Sequence, residues 1–182
     1  QRPFRTQYVL ERTDGNQFDS GSIFTNATPV ILEDEIRFYY GAYSGGATSA
    51  DDRGHVSGIG LATIPRDRFA GLQTRAVSDQ ATLTTPLNHI GQVTLKPMDL
   101  SKYRALTLNA DASQGRIQVE LLNASGYRIR GYSKDEAIAI TGDGLRHTVQ
   151  WKDHALKDLP PGPYMIRIHL ERATVFALSL EG

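Results

Sequence analysis

Phe18-Asp19-Ser20-Gly21, Asp34-Glu35-Ile36-Arg37-Phe38-Tyr39-Tyr40-Gly41 and Gly58-Ile59-Gly60-Leu61-Ala62-Thr63 decide the reading of this chain. Each run places β-branched, aromatic and small residues between Gly, Asp or Pro punctuation, which is how strands and their turns are written. Together they read as three consecutive strands of one sheet whose apolar core is incomplete. Working outward, strands are expected at 7–12, 21–24, 29–32, 36–43 and 58–65. The Gly-, Ser- and Asp-rich stretch 44–56 is expected to be a mobile loop.

Residues 66–80 read as a connector: Arg66-Asp67-Arg68 carries turn chemistry, Phe69-Ala70-Gly71-Leu72 is a short apolar step, and polar residues follow to Gln80. The domain boundary is therefore expected there, giving 1–80 and 81–182. In the second part, nine short strands are expected at 81–85, 91–95, 105–110, 116–122, 129–132, 137–140, 146–151, 164–171 and 174–180. Alternation sets Leu106, Leu108 and Ala110 on one face, as it does Ile117, Val119 and Leu121, and it puts Met165 out of phase with Ile166, Ile168 and Leu170. Asn123-Ala124-Ser125-Gly126 and Thr141-Gly142-Asp143-Gly144 read as hairpin turns. Many short strands separated by turns indicate a sandwich.

A 40% hydrophobic content over 182 residues is enough for a packed core. Twenty Lys plus Arg balance twenty Asp plus Glu, so no net field draws in nucleic acid, and no partner of that class is expected. No apolar run approaches the roughly 20 residues of a membrane helix, so no membrane partner is expected either. With no cysteine, disulfides and thiolate metal sites are excluded, while the compartment stays open. The chain opens on Gln1, and any signal peptide is expected to lie outside it.

The order of these pieces carries a resemblance. Asp19-Ser20-Gly21, then residues 34–41, then Gly58-Ile59-Gly60-Leu61-Ala62-Thr63-Ile64-Pro65-Arg66-Asp67-Arg68-Phe69 resemble the last blade of bacterial five-bladed propeller proteins similar to glycoside hydrolase families 32 and 43. Leu83-Thr84-Thr85-Pro86-Leu87, Leu108-Asn109-Ala110-Asp111-Ala112, Val119-Glu120-Leu121-Leu122-Asn123 and Leu145-Arg146-His147-Thr148-Val149-Gln150-Trp151 resemble the sandwich that follows that blade. The resemblance implies an all-β chain, the final blade of a five-bladed β-propeller followed by a jelly-roll-like β-sandwich. It also implies a carbohydrate ligand, upstream blades of the same polypeptide as partner, and a secreted or periplasmic setting. Such hydrolases need two carboxylates, one to protonate the leaving oxygen and one to attack or activate water. The implied catalytic carboxylates precede Gln1, so the chain itself is expected to be non-catalytic, with no metal and no cofactor. The rival expectation is a stand-alone carbohydrate-binding sandwich.

The sugar-facing residues implied here are Asp19, Ser20, Tyr40 and His55. Asp19 at a funnel mouth can accept from sugar hydroxyls, or it can cap the Ser20-Gly21 turn. His55, near Asp51, Asp52 and Arg53, can touch a ligand, although that spacing matches no zinc or calcium site and a solvated loop explains it as well. Tyr39 and Tyr40 must face opposite sides of their strand, and a buried ring with a satisfied hydroxyl competes with a sugar platform. Trp151, the single tryptophan, reads as a lid on the sandwich core rather than an exposed binding ring. Asp135, Glu136 and Asp143 lack calcium-loop spacing and read as charged turns.

Overall fold

The computed structural model describes residues 10–15, 17–46, 54–74 and 89–182. The protein is all-β, with 54% strand against 2% helix, and it divides into two units, Gln1–Phe69 and Ala70–Gly182. The division falls ahead of the expected connector's midpoint because Leu72 and Gln73 already pair with the final strand of the second unit. The expected strand 81–85 and residues 7–9 of the expected strand 7–12 fall outside the described residues, as do Asp51, Asp52 and Arg53, while residues 10–12 are not in a strand.

The first unit is built from β1 (Ser22–Thr25), β2 (Val30–Ile31), β3 (Glu35–Tyr43) and β4 (Ser57–Pro65). All pairings are antiparallel, with β4 along one edge of β3 and β1 and β2 along the other. Thr25 lies opposite Tyr40 and Val30 opposite Arg37, so five steps on one strand answer three on the other. β1 and β2 are thus one strand interrupted by a two-residue bulge, and the sheet is in effect a three-stranded meander.

Side-chain alternation splits this sheet into two faces. One carries Ile36, Phe38, Tyr40 and Ala42 of β3 opposite Ile64, Ala62, Gly60 and Gly58 of β4. Ile36, Tyr40 and Ala42 are buried there. Phe18 stacks on Tyr40 at 6.2 Å and Phe69 meets Phe38 edge-on at 6.0 Å. Gly58 and Gly60 make room for those rings: a Cβ at Gly60 would collide with the Tyr40 ring and one at Gly58 with the Phe18 ring. The glycines of the Gly-Ile-Gly-Leu run point inward, so its large apolar residues point out.

The second unit contains β5 (Leu72–Gln73), β6 (Ile90–Thr94), β7 (Met98–Asp99), β8 (Ala105–Asn123), β9 (Ile140–Thr148), β10 (Pro163–Glu171) and β11 (Thr174–Glu181). They join into one antiparallel sheet of order β5-β11-β8-β10-β6, with β7 on β10 and β9 on β8, coiled into a nearly closed barrel-like form. The expected strands 105–110 and 116–122 are one strand, β8. Straight, its 19 residues would span about 60 Å at ~3.3 Å per residue, well over the width of a unit this size, so it must bend. Its pairing with β9 shifts register between Ala112 and Ile117, and its partner changes there from β11 to β10. The bend also switches the buried phase, from Leu106, Leu108, Ala110 and Ala112 to Ile117, Val119 and Leu121. A Cβ at Gly115 would fall on the Glu171 carbonyl oxygen, so only glycine lets the corner close on the end of β10.

Two expected features differ. Residues 141–144 lie inside β9, where Gly142, at φ 81°, pairs with Ala112 as part of the irregular stretch. Residues 129–132 are mostly turn, and 137–140 hold an isolated bridge of Ala137 to Trp151 before β9 begins at Ile140. The Asn123–Gly126 turn forms as read: Gly126 has φ 83°, and Asn123 Oδ1 accepts from the Ser125 and Tyr127 amides at 3.0 Å each. Trp151 is buried in the core, meets Tyr132 edge-on at 5.2 Å, and donates its indole N–H to the Val119 carbonyl at 2.9 Å.

Candidate functional site

The structure brings Asp19 and Tyr40 together and keeps His55 apart from them. Tyr40 Oη donates to Asp19 Oδ2 at 2.9 Å, and Thr13 Oγ1 donates to Oδ1. The Thr13 and Tyr40 hydroxyls stabilise the ionised carboxylate and hold Asp19 below the usual aspartate range, against the opposing effect of burial. The same bond, with burial, raises the Tyr40 phenol. Both oxygens of this buried carboxylate are therefore spent inside the sheet. Ser20 Oγ donates to the Gln17 carbonyl at 2.8 Å, closing the turn. His55 sits edge-on against Tyr43 at 5.3 Å, its Nδ1 3.5 Å from Ser44 Oγ. Tyr43 belongs to the opposite face of β3 from Tyr40, so the sheet separates the two groups.

Glu136 Oε2 accepts from Ser133 Oγ at 2.7 Å and from the amides of Gly131 and Ser133. Those bonds, Ser133 foremost, lower its pKa and tie the 131–136 turn. Among the described residues no group of three His, Cys, Asp or Glu side chains is placed to hold a metal. No helix among them is long and apolar enough to cross a membrane.

Two features of the second unit escaped the sequence reading. The first is a cavity of about 350 Å³ between β5, the bend of β8 and the β10–β11 turn, lined by Gln73, His89, Asp111, Gln114 and Arg172 among others. His89 (φ 57°) and Arg172 (φ 44°) both hold the left-handed conformation that favours glycine, and the Arg172 amide donates to the His89 carbonyl at 2.8 Å. Non-glycine residues in that region carry local strain of about 1 kcal/mol or more each. The depression is open to solvent, and Asp111 Oδ1 on its wall accepts from the Ser113 amide and hydroxyl.

The second is Glu120, a fully buried carboxylate on the face of β8 opposite Val119 and Leu121. Arg167 is its direct partner across β10, with Thr94 of β6 beyond, and His169 and Gln118 form the next rank. His169 Nε2 lies 3.0 Å from Glu120 Oε2, and Arg167 Nη1 lies 3.7 Å from the same oxygen. Arg128 Nε is 2.9 Å from Oε1, yet Oε1 has no hydrogen-bond donor, because the approach is off the hydrogen-bonding direction. The sequence signal was a Glu inside Val119-Glu120-Leu121-Leu122, answered by Arg and His alternating with Ile in Ile166-Arg167-Ile168-His169. Only the register of β8 on β10 sets them side by side.

The chain matches no protein-family model, no curated protein and no solved structure.

Proposed function

We propose that this chain is the glycan-handling, non-catalytic end of a propeller-type carbohydrate-active protein: the β1–β4 sheet acts as a blade covered on both faces by other sheets, and the second unit acts as its accompanying sandwich. The observation that carries this reading is the outer face of the first sheet. Phe24, Gly41 and Ile59 form one rank across three strands, and Tyr39 and Leu61 the next. Ile59 is 83% exposed and Phe24 60%. A sheet that faces water on one side carries polar residues there; apolar residues on both faces suit a sheet packed between neighbours, as in a propeller. Leaving such a patch open favours association.

The partners in this reading are upstream blades of the same polypeptide and a carbohydrate, in a secreted or periplasmic setting. The coding sequence preceding Gln1 tests it: four further sheet repeats with acidic residues on inner strands are expected, and a start codon immediately before Gln1 would refute it. The purified chain is expected to release no reducing sugar from any polysaccharide.

A second reading, a carbohydrate-binding module in its own right, is favoured by the open cavity flanked by strained His89 and Arg172. Glycan-array binding by the whole chain that is lost on Gln73→Ala with Gln114→Ala would support it; binding indifferent to both would count against it.

A further inference from the structure

We infer that the face of β8 and β10 that carries Glu120, Arg167 and His169 binds, beside the exposed Arg128, a uronic-acid residue of an acidic saccharide, its carboxylate taken by Arg128 and Arg167 and a ring hydroxyl by Glu120. The anion site rests on its own geometry; only the saccharide that carries the anion rests on the glycan reading above.

The first support is a mismatch of charge. One carboxylate, Glu120, faces two guanidiniums, Arg128 and Arg167, with His169 beside them. The next ion pair on this face, Arg116 with Glu171 at 2.8 Å, is internally balanced. One positive charge is therefore left over with His169 neutral, and two when it is protonated.

The second support is unspent donors. A guanidinium offers five N–H groups in a planar fork suited to carboxylates. Among the described residues, Arg128 meets Glu120 through Nε at 2.9 Å, and its side chain is 73% exposed. Arg167 donates Nε to Thr94 Oγ1 at 3.1 Å, and its Nη1 stands too far from Glu120 for a hydrogen bond. Both guanidiniums face the same carboxylate, Arg128 at Oε1 and Arg167 at Oε2.

The third is an unspent acceptor. Glu120 Oε1 is buried and ion-paired with Arg128 Nε at 2.9 Å, yet it accepts no hydrogen bond, a costly state for a carboxylate oxygen. It calls for an O–H or N–H group, which a simple inorganic anion lacks. A molecule with a carboxylate and neighbouring hydroxyls supplies both needs. Arg128 stands over Oε1 and, being exposed, can swing to let the hydroxyl reach it.

The experiment follows arginine Nε–H and backbone amide NMR signals of the whole protein during titration with sodium glucuronate, a glucose trisaccharide and inorganic sulfate. Glucuronate is expected to shift Arg128 and Arg167 with millimolar affinity and at least tenfold more tightly than sulfate. Arg128→Gln is expected to weaken glucuronate at least tenfold, while Arg116→Gln leaves it within twofold. Equal binding of sulfate and glucuronate, an unchanged affinity in Arg128→Gln, or no shift at 50 mM glucuronate, roughly tenfold above a mid-millimolar Kd, would each overturn the inference. Trisaccharide binding without a glucuronate response would sink this inference alone, whereas silence with both sugars would also count against the glycan reading.

Discussion

Replacing Trp151 with Phe tests how the second unit closes its sheet. Beyond Ile117, β9 no longer pairs with β8, so the β8 edge away from β10 needs other partners. The Trp151 indole supplies one to Val119, and the Tyr132 carbonyl supplies another to the Leu121 amide at 2.9 Å. Phenylalanine keeps an aromatic ring against Tyr132 but offers no N–H. Losing the bond costs about 1 kcal/mol, and a buried carbonyl left without a donor adds about 1–2 kcal/mol. Roughly 40 Å³ of unfilled space at ~24 cal/mol per Å³ adds about 1 kcal/mol. The sum, about 3–4 kcal/mol, corresponds to a fall in Tm of roughly 10 °C or more for the second unit. Urea unfolding followed by far-UV circular dichroism measures it without relying on the only tryptophan. Val149→Ala, another buried residue of the same edge, removes apolar contact but no hydrogen bond and is expected to cost about 1–2 kcal/mol. If Trp151→Phe costs less than Val149→Ala, the indole N–H is not the group that completes this edge.

Ile59→Thr with Leu61→Thr changes an exposed face, so stability is expected to stay within about 0.5 kcal/mol while self-association in sedimentation falls; a larger loss would show the face already packed. Gly115→Ala puts a methyl on the Glu171 carbonyl and is expected to cost about 2 kcal/mol or more by denaturation; a neutral result would disprove the tight corner. Because the folded pKa of Asp19 is lowered, its contribution is present above the unfolded value of about 3.9 and is lost as pH falls through the folded one. Near-UV dichroism of the Tyr40 region should therefore change steeply below pH 4 in the wild type and much less in Asp19→Asn. Arg172→Gly relieves a left-handed residue and is expected to stabilise the second unit by about 0.5–1 kcal/mol, read as a rise in urea midpoint.

Local pattern carried the strand content, the Asn123 turn, the opposed Tyr39 and Tyr40, and the burial of Trp151, since period-two alternation and turn chemistry are properties of neighbouring residues. It misplaced features that depend on distant partners. Thr141–Gly144 looks like a hairpin by composition, yet it serves as an irregular stretch of β9 beside the β8 bend. Asp19 reads either as a sugar-facing acceptor or as a turn cap, and only the approach of β3 shows that its oxygens accept from Thr13 and Tyr40.

The amino-acid order alone determined that this is a β protein, because hydrophobic period and Gly or Pro punctuation are written along the chain. Tertiary structure decided which faces those strands conceal, that one 19-residue strand turns a corner at Gly115, and that Glu120 meets Arg128, Arg167 and His169. Register across the sheet joins Glu120 to His169, 49 positions away, and a shift of one residue would have sent their side chains to opposite sides.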